Sequence, residues 1–313
     1  SILSVVGGAG SGKTSVAMHR AAYLMYRHRS VLDTRHIAVL SPGSAFTEYI
    51  ATVLPDLGEE NAQAVTMRGI CAAIIGQDVE SPAKQNERLI ATGVEDLRRQ
   101  SLHLKSDAQF SKRLERFADE FKNRGPVFST ISLGKHVLCT QSELERLYRV
   151  EFRLLNPALR LIRIQTVLTG RLSAWERTLG KQYETRLFKS YRGRDLEMAT
   201  RLAVSQQLQP IRAQIRAMLE VDPLGLYADA LEDAPEALAQ AARENAKARL
   251  IWWEDAPGVA FLMLRLGFAQ SEKHMLQLLI DEAQDYSDIA LRMLRLYYSA
   301  AQVTLLGDPN QRT

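Results

Sequence analysis

Apolar residues follow two rhythms along this chain. Near both ends they form short, almost unbroken runs of strand length, and through the middle they recur every three or four residues. Residues 2–6, 36–40 and 62–66 are strand-like runs, and 275–280 and 302–306 repeat the pattern near the other end. Helical spacing lies between them. Residues 15–26 carry Val16, Ala17, Ala21, Leu24 and Met25, residues 45–54 stop before Pro55, and 67–75 follow a strand. Ser287 is placed to cap a helix through about Tyr298. Apolar strands separated by helices predict a parallel sheet covered on both faces.

The middle predicts something else. From about Ser81 to Leu250 the chain is rich in Leu, Arg, Glu, Gln and Ala and poor in glycine. Residues 144–155, 158–168 and 198–218 show helical periodicity. Pro126, Pro157, Pro210, Pro223 and Pro235 are expected at helix boundaries. The expected fold is therefore α/β: a parallel sheet from 1–76 and 251–313, interrupted by a long α-helical insertion over 77–250.

Composition bounds the chemistry. The chain has 313 residues and 46% hydrophobic content, enough for a sizeable core. No apolar run is long enough to span a bilayer, and the opening residues read as a buried strand rather than a leader. Only two cysteines occur, Cys71 and Cys139, which points to a reducing, cytoplasmic setting rather than a disulfide framework. The six histidines show no metal-ligand spacing with them. Net charge is +4, and residues 77–250 hold 29 Lys and Arg against 23 Asp and Glu. A surface for DNA or RNA, or for an acidic protein, within the helical insertion has this balance, and so do ordinary solvated helix faces. Arg146, Arg149, Arg153, Arg160 and Arg163 fall at helical intervals, which suits a phosphate-binding stripe or a solvated face equally. Trp252 and Trp253 fit either packing or a stacking platform. No feature predicts an oligomer.

Three motifs carry chemistry. Gly7, Gly8, Ala9, Gly10, Ser11, Gly12, Lys13 and Thr14 fit the phosphate-loop pattern between a strand and a helix. Glycines allow backbone N–H groups to close on phosphate oxygens, and the helix start directs its positive end at them. Lys13 is expected on the β- and γ-phosphates and Thr14 on Mg²⁺, with Ser15 completing the nucleotide-binding segment. An apolar strand then ends in Asp281 and Glu282. Asp281 is expected to hold Mg²⁺, Glu282 to orient or deprotonate the attacking water, and Gln284 to sense the γ-phosphate. A third strand runs into Gly307, Asp308, Pro309, Asn310 and Gln311.

In this order GGAGSGKT, DEAQD and GDPNQ resemble motifs I, II and III of the UvrD/Rep-type superfamily-one helicases. That resemblance implies a P-loop, RecA-like motor domain that binds ATP with Mg²⁺ and hydrolyses it. It makes Gln311 the motif III glutamine, linking γ-phosphate to nucleic acid. The segments GGAGSGKTSVAMHRAAYLMYRHR, SPGSAFTEYIATVLPDLGEEN, WWEDAPGVAFLMLRLGF and LLIDEAQDYSD are similar to the HelD branch, ATPases that bind bacterial RNA polymerase and recycle transcription complexes. Two departures from UvrD-type enzymes are visible. Ser15 stands where they have arginine, and Ser41, Pro42, Gly43 and Ser44 replace their DNA-contacting T-F-T-N. The alternative implied by the broader resemblance is a 3'-to-5' DNA helicase. The resemblance reads the chain as a first motor half, without the second RecA-like domain, and so expects weak nucleotide binding and slow hydrolysis.

Overall fold

The computed structural model describes residues 2–8, 10–28, 30, 32–40, 63–91 and 95–308. Ala9, Ser41 to Ser44, the helix expected at 45–54, Asn310 and Gln311 lie outside the described residues. The chain divides into two compact units, one of residues 1–116 and 223–313 and one of residues 117–222.

In chain order the elements are β1 (Ile2–Val6), α1 (Lys13–Arg27), β2 (Ile37–Leu40), β3 (Gln63–Val65), α2 (Met67–Ile75), α3 (Pro82–Ala91), α4 (Glu95–Ser106) and α5 (Ala108–Arg124). Then come β4 (Ile131–Leu133), β5 (His136–Cys139), α6 (Gln141–Arg146), α7 (Pro157–Leu187) and α8 (Gly193–Leu219). The last are α9 (Pro223–Ala230), α10 (Glu236–Ala248), α11 (Ala256–Leu266), β6 (Gln277–Ile280), α12 (Asp288–Tyr297) and β7 (Gln302–Gly307).

The first unit is built on a five-stranded sheet in the order β1-β7-β6-β2-β3, every pairing parallel. Alternate side chains explain why β2, and β6 after Gln277, read as apolar runs. Val39, Leu279 and Leu306 pack with Ala17, Ala21 and Met25 of α1. The intervening Ala38, Leu40, Leu278 and Ile280 are equally buried, so both faces of the central strands are covered. Each such aliphatic side chain contributes roughly 1.5–3 kcal/mol of transfer free energy. Because all strands run the same way, their carboxyl ends, and every residue that follows them, meet along one edge.

The helices of 82–106 and 223–248 belong to the unit that holds the sheet. They are joined to it by charge as well as packing. Arg98, Ser101 and Lys105 line one face of α4 and are nearly fully buried. Arg98 donates to Glu80 (2.8 Å) and to Glu254 (3.2 Å), and its guanidinium lies 4.2 Å from the centre of the Trp252 ring. Lys105 pairs with Asp255 and donates to Ser101 Oγ (2.6 Å); Tyr227 donates to Asp255 at 2.7 Å.

The second unit is mainly helical but holds an antiparallel pair, β4 with β5, turning at Gly134 (φ 60°). That hairpin corrects the all-helical expectation for this stretch. The helical pattern expected over 144–155 ends α6 early, passes through a π-turn at Leu147–Glu151 and stops. Pro157 and Pro235 sit at helix starts as expected, whereas Pro210 lies inside α8. Its position is exposed, so water can satisfy the carbonyl that loses its N–H partner. The arginine stripe also dissolves. Arg160 is buried, donating to the carbonyl oxygens of Leu155, Lys122 and Arg153, while Arg146 and Arg149 pair with Glu151 and Glu145.

A bidentate pair joins α6 to α7. Arg171 donates to both carboxylate oxygens of Glu143 at 2.9 and 2.5 Å, which pulls the Glu143 carboxyl down to about 2. A depressed carboxyl contributes stability above its unfolded value and loses it as pH falls toward the folded one. The wild-type unit is therefore expected to lose stability between about pH 4.5 and 2 through this group. Glu143→Gln removes that part of the slope. Urea midpoints of both proteins across this range check it, and identical slopes count against it.

Candidate functional site

The loop after β1 is shaped by backbone rather than side chains. Gly10 (φ 73°) and Gly12 (φ 81°) take the left-handed conformation, where a Cβ is strained. A Cβ on Gly7 would come within 2.5 Å of Ser11 Oγ. Gly12 precedes α1 with no side-chain cap, so the first N–H groups of that 15-residue helix are left for a ligand. Lys13 is 9% exposed, and its ammonium donates to the carbonyl oxygens of Gly7 (2.7 Å) and Gly8 (3.0 Å). That holds the charge over the loop. Ser15 follows on α1, half-buried.

Asp281 is delivered to the same edge by β6, its N–H bonded to Leu40 O at 3.0 Å. The Thr14 hydroxyl donates to its carboxylate and the Lys13 ammonium faces it. Burial nevertheless dominates and raises the Asp281 pKa above the usual carboxylate range. Its Oδ1 is buried with no hydrogen-bond partner. A buried carboxylate oxygen left unmatched beside the Thr14 hydroxyl offers the oxygen ligands that a hard divalent cation takes. No group of three or more His, Cys, Asp or Glu is placed to hold a metal ion among the described residues, so protein ligands alone do not make a cage. Mg²⁺ would be held by Thr14 and Asp281 with phosphate oxygens and water supplying the remainder, which is this ion's usual habit. Bound there it neutralises charge that develops on the phosphates.

Glu282 carries its carboxylate on a left-handed backbone (φ 46°, ψ 48°), with Arg249 one of two such non-glycine residues among those described. Strain of this kind is worth about 1–3 kcal/mol and gathers at functional positions. Gln284 donates to Glu282 Oε2 at 2.6 Å, and its own Oε1 accepts from the Asp308 N–H at 3.2 Å. The amide thus spans from the acidic pair to the turn after β7. Gly307 makes room for it, because a Cβ there would lie 2.7 Å from Gln284 Oε1.

The structure therefore brings Lys13, Thr14, Asp281, Glu282 and Gln284 to one edge, with Gly7, Gly8, Gly10, Ser11 and Gly12 forming the loop. A family model described as UvrD/REP helicase N-terminal domain matches residues 1–312. The chain belongs to that family. No curated protein matches it. Family membership makes it a superfamily-one, helicase-type ATP-binding motor, of a class that hydrolyses ATP with Mg²⁺. No helix among the described residues is long and apolar enough to cross a membrane.

Two features of this UvrD/REP domain were not visible in its sequence. The Gln284 bridge ties motif II to motif III through the Asp308 backbone. A cleft of about 650 Å³ also opens beside the tail of motif II, lined by Met67, Lys105, Trp253, Glu254, Asp285 and Tyr286 among others. Its charged wall is the buried cluster on α4.

Gly307→Ala tests the bridge. Its methyl displaces the flexible end of Gln284 rather than backbone, so the fold is expected to hold. Loss of one neutral hydrogen bond is expected to slow single-turnover ATP hydrolysis about fivefold. An unchanged rate, with Gln284 still bonded to Asp308, rejects the coupling.

Proposed function

We propose that this domain is the ATP-binding and ATP-hydrolysing motor of a HelD-like protein, one that binds bacterial RNA polymerase in the cytoplasm and remodels or recycles transcription complexes. Support for the motor is the meeting of Lys13, Thr14 and Asp281 around one unmatched carboxylate oxygen. In that reading the loop N–H groups and Lys13 hold the β- and γ-phosphates, and Thr14 and Asp281 hold Mg²⁺. Glu282 orients the attacking water and takes its proton, while Gln284 fixes the direction of the Glu282 carboxylate. Gln311 is the proposed motif III sensor. Support for the polymerase comes from the sequence. The SPGSAFTEYI and WWEDAPGVAFL segments are HelD-like, and Ser15 and Ser41 to Ser44 replace residues with which UvrD-type enzymes hold base and single-stranded DNA.

The match over residues 1–312 favours a second reading, a 3'-to-5' DNA helicase of the UvrD/Rep type. One pair of measurements separates them. Capture of RNA polymerase from bacterial lysate, released or strengthened by ATP, is the outcome for the first. Hydrolysis stimulated by single-stranded DNA, with unwinding and no polymerase captured, is the outcome for the second and defeats the first.

A further inference from the structure

Helices α7 and α8 form an antiparallel hairpin of 31 and 27 residues, about 46 and 40 Å long at 1.5 Å per residue. Its seam is apolar over the inner part, where Leu161, Ile164, Leu168 and Leu172 of α7 are buried, as are Val204, Leu208, Ile211 and Ile215 of α8. Toward the tip the seam thins to Leu196 and half-buried Leu179, Tyr183 and Leu187. A helix pair extended past the end of its own core is not explained by stability.

The chemistry of the tip is distinctive. Residues 177–201 contain seven Lys and Arg (177, 181, 186, 189, 192, 194, 201) and three Asp and Glu (184, 195, 197), a net charge of +4. The chain as a whole has 40 and 36, so the remaining residues hold 33 of each and sum to zero. Within this segment Arg201 pairs with Glu197. Lys181, Arg186, Lys189 and Arg194 are exposed and have no ion-pair partner among the described residues. Between the cations stand aromatic rings: Phe188 is 54% and Tyr191 44% exposed. The turn that carries them is fixed, with Ser190 N and Tyr191 N both donating to Leu187 O and Gly193 at φ 53°. Arg192 donates to Tyr191 O and lays its guanidinium 4.1 Å from the Phe188 ring centre.

We propose that this tip is a binding site for single-stranded nucleic acid, with bases stacking on Phe188 and Tyr191 and phosphates meeting Lys189, Arg192 and Arg194. Rings alternating with cations suit a flexible polyanion that exposes flat faces. A duplex offers phosphates but keeps its base faces stacked inside, so it has no use for the two rings. An acidic protein surface matches the charge, and an apolar partner would want more than the exposed Met198 and Leu202 on α8. The site lies wholly within residues 117–222, and its failure leaves the ATP reading untouched.

Fluorescence anisotropy of a labelled 15-nucleotide oligothymidylate, titrated with the whole chain without nucleotide at several salt concentrations, tests this. Phe188→Ala with Tyr191→Ala is expected to weaken binding by about tenfold or more at every salt concentration. Lys189→Gln, Arg192→Gln and Arg194→Gln together are expected to lower the salt slope by about 2. All five positions are exposed, so the thermal midpoint should not move, and Arg243→Gln on α10 serves as a neutral control. The proposal is overturned if the ring variant binds as wild type, or if a blunt 15-base-pair duplex binds as tightly and ignores the rings. It is also overturned if poly-glutamate competes equally through the same residues, which assigns the tip to an acidic protein instead.

Discussion

Glu282→Gln is expected to lower ATP turnover by about 10²–10⁴-fold, the usual worth of a positioned general base, while MgATP binding changes little. The substitution keeps shape and leaves the strained backbone as it is. Its carbonyl oxygen can still accept from Gln284, so the link onward to Asp308 survives. What disappears is the carboxylate's capacity to take a proton. Lys13, Thr14 and Asp281 keep their places, and they, not Glu282, are the proposed holders of the phosphates and the metal. Single-turnover hydrolysis with protein in excess, beside a titration with a fluorescent ATP analogue, reads both quantities. Parallel loss of binding and turnover would show Glu282 to be part of the binding surface. Turnover at the wild-type rate would remove it from the chemistry.

The second large effect is on stability. Arg98→Ala is expected to destabilise the first unit by roughly 3–5 kcal/mol, because it leaves buried carboxylates without their main counter-charge. Arg98 is 5% exposed and serves Glu80, Glu254 and the Trp252 ring together. The remaining cation, Lys105, is already engaged by Asp255 and Ser101. Adding Glu80→Gln to Arg98→Met should recover part of the loss, since a neutral pair is easier to bury than one orphaned charge. The pH dependence has a definite sign. Burial, then the neighbouring Asp255, raises the Glu254 pKa above the usual carboxylate range. For a raised carboxyl the stabilising contribution is present below the unfolded value and lost as pH rises through the folded one. Without Arg98 the rise is larger, so the variant's deficit should shrink on going from neutral pH toward pH 5. Guanidinium midpoints for wild type and variant at the two pH values decide it. A deficit under about 1 kcal/mol at neutral pH would mean that water reaches the cluster.

The parts of this fold that the sequence made plain are those in which one residue type answers one local demand. Glycines at 10 and 12 announce left-handed backbone, and apolar runs at 37–40 and 278–280 announce strands buried on both faces. The order of loop, acidic strand end and final turn was readable because parallel strands deliver their ends to one edge. What stayed hidden depends on partners distant along the chain. Arg98 and Lys105 look like the solvated face of α4 until residues 252–255 are packed on them. Arg160 looked like one member of a phosphate stripe, yet its guanidinium is spent on three carbonyl oxygens. The β4–β5 hairpin has a local signal, β-branched and aromatic residues on both sides of Gly134 over 127–140, but it is short and set within a long stretch of helical composition. Gln284 was recognised as important, but its partner is a backbone N–H 24 residues on, and nothing local names that contact.

β7 separates β1 from β6 in the sheet. The lysine-bearing loop and Asp281 are therefore rooted two strand spacings apart, about 9.5 Å. A triphosphate held by the loop, with its ion at Asp281, would tie those two strand ends together, and the strand between them ends in Gly307 and Asp308, the latter already fastened to Gln284. Loss of one phosphate would then be felt first at the end of that middle strand, where Gln284 holds the Asp308 backbone.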